Sequence, residues 1–167
     1  MEQELIKCSC CGKMVPANNI ELTFPMPDDI LNLDQKEVNE KCKFNDDIYV
    51  YNDEKYYIRC ILPLPVHDTS ESYCIGVWVE LSLSCFNRVW DLWDEEDKTN
   101  EPLFSGLLAS QIPLTENSQN SKLVVQLKGV SSRPEVFVKD KSCSLYLEQT
   151  CGITMHRARE YSDLCRR

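Results

Sequence analysis

YCIGVWVELSLSCFNRVWDLW, from Tyr73 to Trp93, changes its hydrophobic period halfway along. Ile75, Val77, Val79, Leu81 and Leu83 fall on one side of an extended chain, while Cys74, Gly76, Trp78, Glu80 and Ser82 fall on the other. That is a strand with one aliphatic face. From Ser84 the apolar residues Phe86, Val89, Trp90 and Trp93 recur at helical spacing, so the chain leaves a sheet and enters a helix. The expected core is Ile75, Val77, Val79, Leu81 and Leu83 packed with Phe86, Val89 and Trp90, leaving Trp78 and Glu80 on the sheet's second face.

Upstream, IYVYN and KYYIRCILPLPV read as two strands around a turn from Asn52 to Glu54. Pro63 and Pro65 face the same way, which puts that strand's end on an edge where missing amide donors do no harm. Asp34 and Glu37 form a capping-box-like pair that opens a short surface helix toward Lys41, with Leu33 and Val38 inward. Downstream, KLVVQLKGV and EVFVKD are further strands, and SLYLEQTCGITMHRAREYSDLCRR reads as helix, turn at Gly152, helix. The fold class is α+β: a largely antiparallel sheet with a helix after the central strand, a C-terminal helical pair and an N-terminal Cys-rich knuckle. One domain is expected over 1–167, with the knuckle and short helix at 1–45, the sheet core at 46–140 and the terminal helices at 141–167.

A chain of 167 residues is long enough to bury a core without disulfides or metals. Its net charge of −9 repels phosphate backbones and anionic lipid headgroups, so neither nucleic acid nor membrane is an expected partner. A protein with a basic surface is. The start shows no basic region followed by an apolar run, and no stretch is long enough to span a bilayer. A cytoplasmic protein is expected, with most of its ten cysteines reduced and buried.

Cys8 and Cys11 have C-x-x-C spacing with Gly12 directly after, which fits a zinc clip. No second C-x-x-C follows, so completing ligands would have to be drawn from Cys10, Cys42, Cys143, Cys151, Cys165, His67 and His156, and a metal-free turn is the alternative reading. His67 and Asp68 sit at a strand end, with Cys60 or Cys74 as a nucleophile for a catalytic reading; a solvated loop histidine is the plainer one. After Trp93 comes DEED: Asp94, Glu95, Glu96 and Asp97, four carboxylates where a helix dipole disfavours them. They read as a solvated loop or as a docking edge for a basic partner. The terminal helix-turn-helix cadence would turn Arg157 and Arg159 outward as in DNA-binding motifs. Against that, Glu148 stands four before Gly152, where such motifs prefer alanine. No Gly-rich phosphate loop occurs.

C-x-x-C-G, NDDIYV, Arg59 before an aliphatic-proline segment, GVWVELS, SGLL, RPEV and LEQTCGIT occur in this order along nearly the whole chain. In this the sequence resembles the bacterial family catalogued as domain of unknown function 2199. The family pattern has a histidine shortly after C-x-x-C-G, where Val15 and its neighbours offer none, and another where Cys143 stands, a metal-compatible exchange. The resemblance implies a fold and no reaction. Two functions then compete. One is a non-enzymatic acidic binding domain of immunity type, which masks a basic partner or toxin through Trp78, Glu80, Asp94, Glu95, Glu96 and Asp97, helped by aromatics such as Tyr49, Tyr51, Tyr56 and Tyr57. The other is a zinc- or thiol-dependent enzyme, with zinc on Cys8, Cys11 and Cys143. A zinc there with four protein ligands would be structural, having no open position for water.

Overall fold

Alternation over residues 73–81 and the turn at 52–54 lay down two long strands side by side, and the other elements assemble on that pair. The computed structural model describes residues 5–7, 14–16, 21–67, 69–95, 101–129 and 132–164. In chain order the elements are β1 (Leu5–Lys7), β2 (Met14–Pro16), α1 (Asp28–Leu31), α2 (Gln35–Lys41), β3 (Cys42–Phe44), β4 (Ile48–Tyr51), β5 (Lys55–Pro65) and β6 (Ser72–Leu81). They continue with α3 (Leu83–Leu92), β7 (Phe104–Leu108), β8 (Lys122–Gln126), β9 (Glu135–Val138), α4 (Ser144–Cys151) and α5 (Met155–Leu164). β1 and β2 pair as a separate ribbon. The remaining strands run β3-β4-β5-β6-β7-β8-β9, and β9 returns to β5, closing β5 to β9 into a five-strand barrel.

Closure follows from the length of β5. Along one edge it pairs with β6 from Tyr56↔Leu81 to Pro65↔Ser72. Its other edge serves two partners: β4 as far as Ile58, and β9 at Ile61, where the Ile61 N–H donates to Pro134 O at 2.8 Å. Beyond Ile61 that edge presents Pro63 and Pro65, which have no amide to donate, so the parallel pairing stops after one bridge. The Gln149 side chain of α4 fills the seam. Its Nε2 donates to Pro63 O (3.2 Å) and Val136 O (2.8 Å), and its Oε1 accepts from Val138 N (2.7 Å).

The α+β class is as expected, whereas the two-faced sheet is corrected to a barrel whose outer side is partly roofed. Ile58, Cys60, Leu62, Leu64, Ile75, Val77, Val79, Leu108, Leu123, Val125 and Val136 fill its interior. On the outer side, residues 21–41 cover Tyr49, Tyr57 and Trp78, forming a second cluster with Ile30, Cys42 and Ala109. Residues 22–24 run beside β6: Gly76 N donates to Leu22 O (2.9 Å) and Phe24 N to Gly76 O (3.1 Å). A Cβ on Gly76 would stand 3.1 Å from the Thr23 methyl, so a side chain there would crowd this approach. Asp34 caps α2 by accepting from Glu37 N at 2.8 Å, as the capping pair predicts.

The switch from β6 into α3 is real, but its phase differs from the expectation. Ser82 accepts the Cys85 N–H and caps the helix, so Leu83 becomes its first residue rather than the strand's last. The inward stripe is Phe86, Val89 and Leu92. Leu83 and Trp90, placed in the core from sequence, are 50% and 58% exposed. Trp90 follows Val89 by one residue, which on a helix rotates it about 100° off the inward stripe.

The C-terminal pair is held by polar contacts. Arg157 donates to Glu148 Oε1 (2.7 Å) and lies 5.1 Å over the Tyr161 ring, and Tyr161 OH donates to Glu148 Oε2. Arg157, which a DNA-binding helix-turn-helix would turn outward, is therefore engaged inside the protein, and Glu148 is the group that binds α4 to α5. Gly152 makes the turn between them with φ +84° and ψ 172°, a region open essentially to glycine alone. Beyond it, Ile153 bridges to Val66 beside the end of β5.

Candidate functional site

On α3 the side turned from the barrel carries Leu83, Trp90 and Asp91, all exposed, and the chain leaves it through exposed Asp94 and Glu95. Trp90 is steadied from below by the Phe86 ring, 6.3 Å away and tilted by 30°. Arg88 is engaged first by Glu101, which holds its guanidinium at 2.5 Å, and only weakly by Asp91. An exposed indole with neighbouring carboxylates that enter no ion pair among the described residues is the arrangement of a docking anchor with an acidic rim. Leu83 also lines the edge of a groove of about 970 Å³ whose walls come from the β4–β5 turn and the ends of β6, β7 and β8. Glu80, half-buried, is part of that wall.

The other residues singled out from sequence are dispersed. Trp78 is 1% exposed and is corrected from a partner surface to the centre of the second cluster. Its indole N–H donates to Phe24 O at 2.8 Å, Tyr49 meets its ring edge-on at 5.1 Å, and the Arg59 guanidinium lies 5.6 Å from the ring. Arg59 Nε is buried without a hydrogen-bond partner among the described residues, so the cation depends on that ring and on Asp46 O. Tyr49 and Tyr57 are buried with Trp78, and Tyr51 and Tyr56 are half-buried. Of the expected aromatic surface, Tyr49, Tyr51 and Tyr57 pack with residues 21–41, and Tyr56 packs on the barrel core beside the Phe86 ring. Sequence reading missed Trp90; taking Ser82 as a helix cap would have set the phase that exposes it.

Cys143 is 1% exposed, packed in the barrel core just before α4. Cys8 and Cys11, like Glu96 and Asp97, lie outside the described residues. Among the described residues, no three His, Cys, Asp or Glu side chains stand close enough to share a metal ion. His67, exposed, donates from Nε2–H to Cys151 O at 2.9 Å, and its backbone N–H donates to Ile153 O, so it fastens the α4–α5 turn. Cys60 faces the barrel interior, where burial pushes its thiol far up. Burial, then the carboxylates of Glu21 and Glu135, push Cys74 up to about 11. Neither thiol is a thiolate near neutrality.

Two tyrosines share that direction. Burial, then the Asp29 carboxylate that accepts its hydroxyl proton, raises Tyr57; burial, then Glu148, raises Tyr161. The folded state thus holds these protons more tightly than the unfolded chain. Their contribution is complete below the unfolded values, roughly 8.5 for thiol and 10 for phenol, and is lost as pH rises through the folded ones. Urea midpoints should be level from pH 7 to 8 and fall above pH 9, as the unfolding free energy declines by up to about 1.4 kcal/mol per pH unit for each group. Tyr57→Phe and Tyr161→Phe should each shallow the fall above pH 10; an unchanged slope in both would show that neither phenol holds its proton in the fold.

The signature motifs are absorbed by this architecture. Asn45 of NDDIYV turns the chain into β4 by accepting from Asp47 N and Ile48 N; Gly106 of SGLL would bring a Cβ to 2.6 Å of Val79; Pro134 of RPEV accepts the barrel-closing bond. LEQTCGIT supplies Glu148, Gln149, Gly152 and Ile153. No helix among the described residues is long and apolar enough to cross a membrane. No curated protein and no solved structure matches the chain. A family model described as an uncharacterized protein conserved in bacteria, DUF2199, matches residues 7–153, and the chain belongs to that family.

Proposed function

We propose that the protein is a non-enzymatic acidic binding domain that masks a basic partner protein, in the way an immunity protein covers its toxin, and that the outward side of α3 is its docking face. The observation that carries this reading is Trp90, 58% exposed beside Asp91, Asp94 and Glu95 with the neighbouring Arg88 already neutralised. An amphipathic ring at the centre of an interface supplies affinity, while the carboxylate rim steers a cationic partner and speeds encounter. A net charge of −9 extends the same field over the molecule.

The test is co-expression with the products of the neighbouring genes, followed by binding measurements on any complex recovered. Trp90→Ala should weaken binding by about 30-fold or more, equivalent to roughly 2 kcal/mol at an interface anchor. The double variant Asp94→Lys/Glu95→Lys should slow association and flatten its salt dependence. A complex indifferent to all three substitutions would move the interface away from α3. Failure of every neighbouring product to bind would remove the immunity reading.

A further inference from the structure

The register places Glu80 of β6 opposite Leu107 of β7, and Leu107 opposite Lys122 of β8; the Lys139 N–H then donates to Lys122 O. These four residues form a row across the outside of the barrel, starting at Glu80 beside the covered Tyr57 and running away from residues 21–41. At about 4.8 Å between strands, Glu80 and Lys122 are roughly 10 Å apart and Glu80 and Lys139 roughly 14 Å. Leu107 and Val124, half-buried, give the groove an apolar floor between the charges.

The charges around it sort into two walls. Asp53 is held by Lys43 at 3.6 Å and Lys55 by Asp29 at 3.3 Å. What remains is acidic on one side, Glu54 and Glu80, and basic on the other, Lys122 and Lys139. Neither of these two lysines enters an ion pair among the described residues, although Asp140 lies near Lys122; that carboxylate takes two hydrogen bonds from Ser142. In a chain of net charge −9, two lysines left together over an apolar floor form a local exception.

We propose that this groove binds an extended peptide segment, with a basic side chain against Glu80 and Glu54, apolar side chains over Leu107 and Val124, and a carboxylate against Lys122 and Lys139. An extended segment of five residues spans roughly 13 Å between its first and last Cα atoms, which matches the row. A purely anionic amphiphile would meet Glu80, and a purely cationic one the two lysines, so a bipolar segment is the occupant whose charges fit.

Ac-Lys-Val-Leu-Val-Glu-NH2 and Ac-Lys-Val-Leu-Val-Lys-NH2 are the probes, titrated into the labelled full chain and followed by amide chemical shifts. The bipolar peptide should shift Glu80, Leu107, Lys122 and Val124 saturably at millimolar concentration or below. Lys122→Glu/Lys139→Glu, two exposed changes that spare the core, should weaken it about ten-fold and reverse the preference in favour of the dilysine peptide. Absence of saturable shifts, or a charge-reversed protein with the same preference as wild type, overturns the site. Trp90→Ala should leave both titrations unchanged, so the groove and the α3 docking face succeed or fail separately.

Discussion

Replacing Gln149 by leucine should destabilise the protein by about 2–4 kcal/mol, although the side chain is nearly the same size and sits in a helix. Its amide makes three hydrogen bonds to main-chain atoms, at Pro63 O, Val136 O and Val138 N. All three lie where β5 and β9 part, and neither strand has another partner to offer there. A buried backbone group left without a partner costs about 1–3 kcal/mol; these three are part-buried, so water reaches them in part, but leucine would strand all three at once. Urea unfolding measures the loss, and hydrogen exchange should show it first at Ile61 and Val138. Gln149→Glu separates this account from a general packing defect. An ionised carboxylate still accepts from Val138 N but repels the two carbonyls, whereas the protonated acid regains a donor. Its deficit relative to wild type should therefore narrow as pH falls from 7 toward 4. A constant deficit would mean that the seam is not held by donation from residue 149.

Trp78→Ala should cost about 3–5 kcal/mol, the range for emptying a buried aromatic site. For a chain of this length that lowers the melting temperature by on the order of 10 °C. Three losses combine: the volume of the indole within the second cluster, the bond to Phe24 O, and the aromatic face that the partly buried Arg59 guanidinium uses in place of a hydrogen-bond partner for Nε. Trp78→Phe keeps a ring under Arg59 and beside Tyr49, and should recover more than half of the stability. Partner binding measured at a temperature where the variant is folded should be unaffected, in contrast to Trp90→Ala. If Trp78→Ala is as stable as wild type, residues 21–41 do not cover this face, and the earlier assignment of Trp78 to a partner surface returns.

These two residues also mark where sequence reading reached its limit. Trp78 and Glu80 belong to the same alternating set of β6, and alternation correctly separated that set from Ile75, Val77 and Val79. It could not say that Trp78 would be roofed by Phe24 and Ile30, some fifty residues earlier, while Glu80, one pleat along, would line an open groove. In Gln149 a long polar side chain on a helix looks like surface. Its value depends on two strand segments that meet only when the barrel closes.

The sequence by itself determined the elements whose causes are local. These are the period-two strands, the β4–β5 hairpin through Asn52 and Asp53 at φ 53° and 52°, the Asp34 cap, the existence of a strand-to-helix switch, though not its position, and the glycine turn at Gly152. Each follows from dihedral preference, side-chain period or a hydrogen bond within a few residues. Tertiary structure alone decided closure of the sheet, the burial of Trp78 and Cys143 and the inward engagement of Arg157. The physical reason is that a pattern of apolar residues states which side of an element differs from the other, whereas exposure depends on whether a distant segment arrives to cover that side.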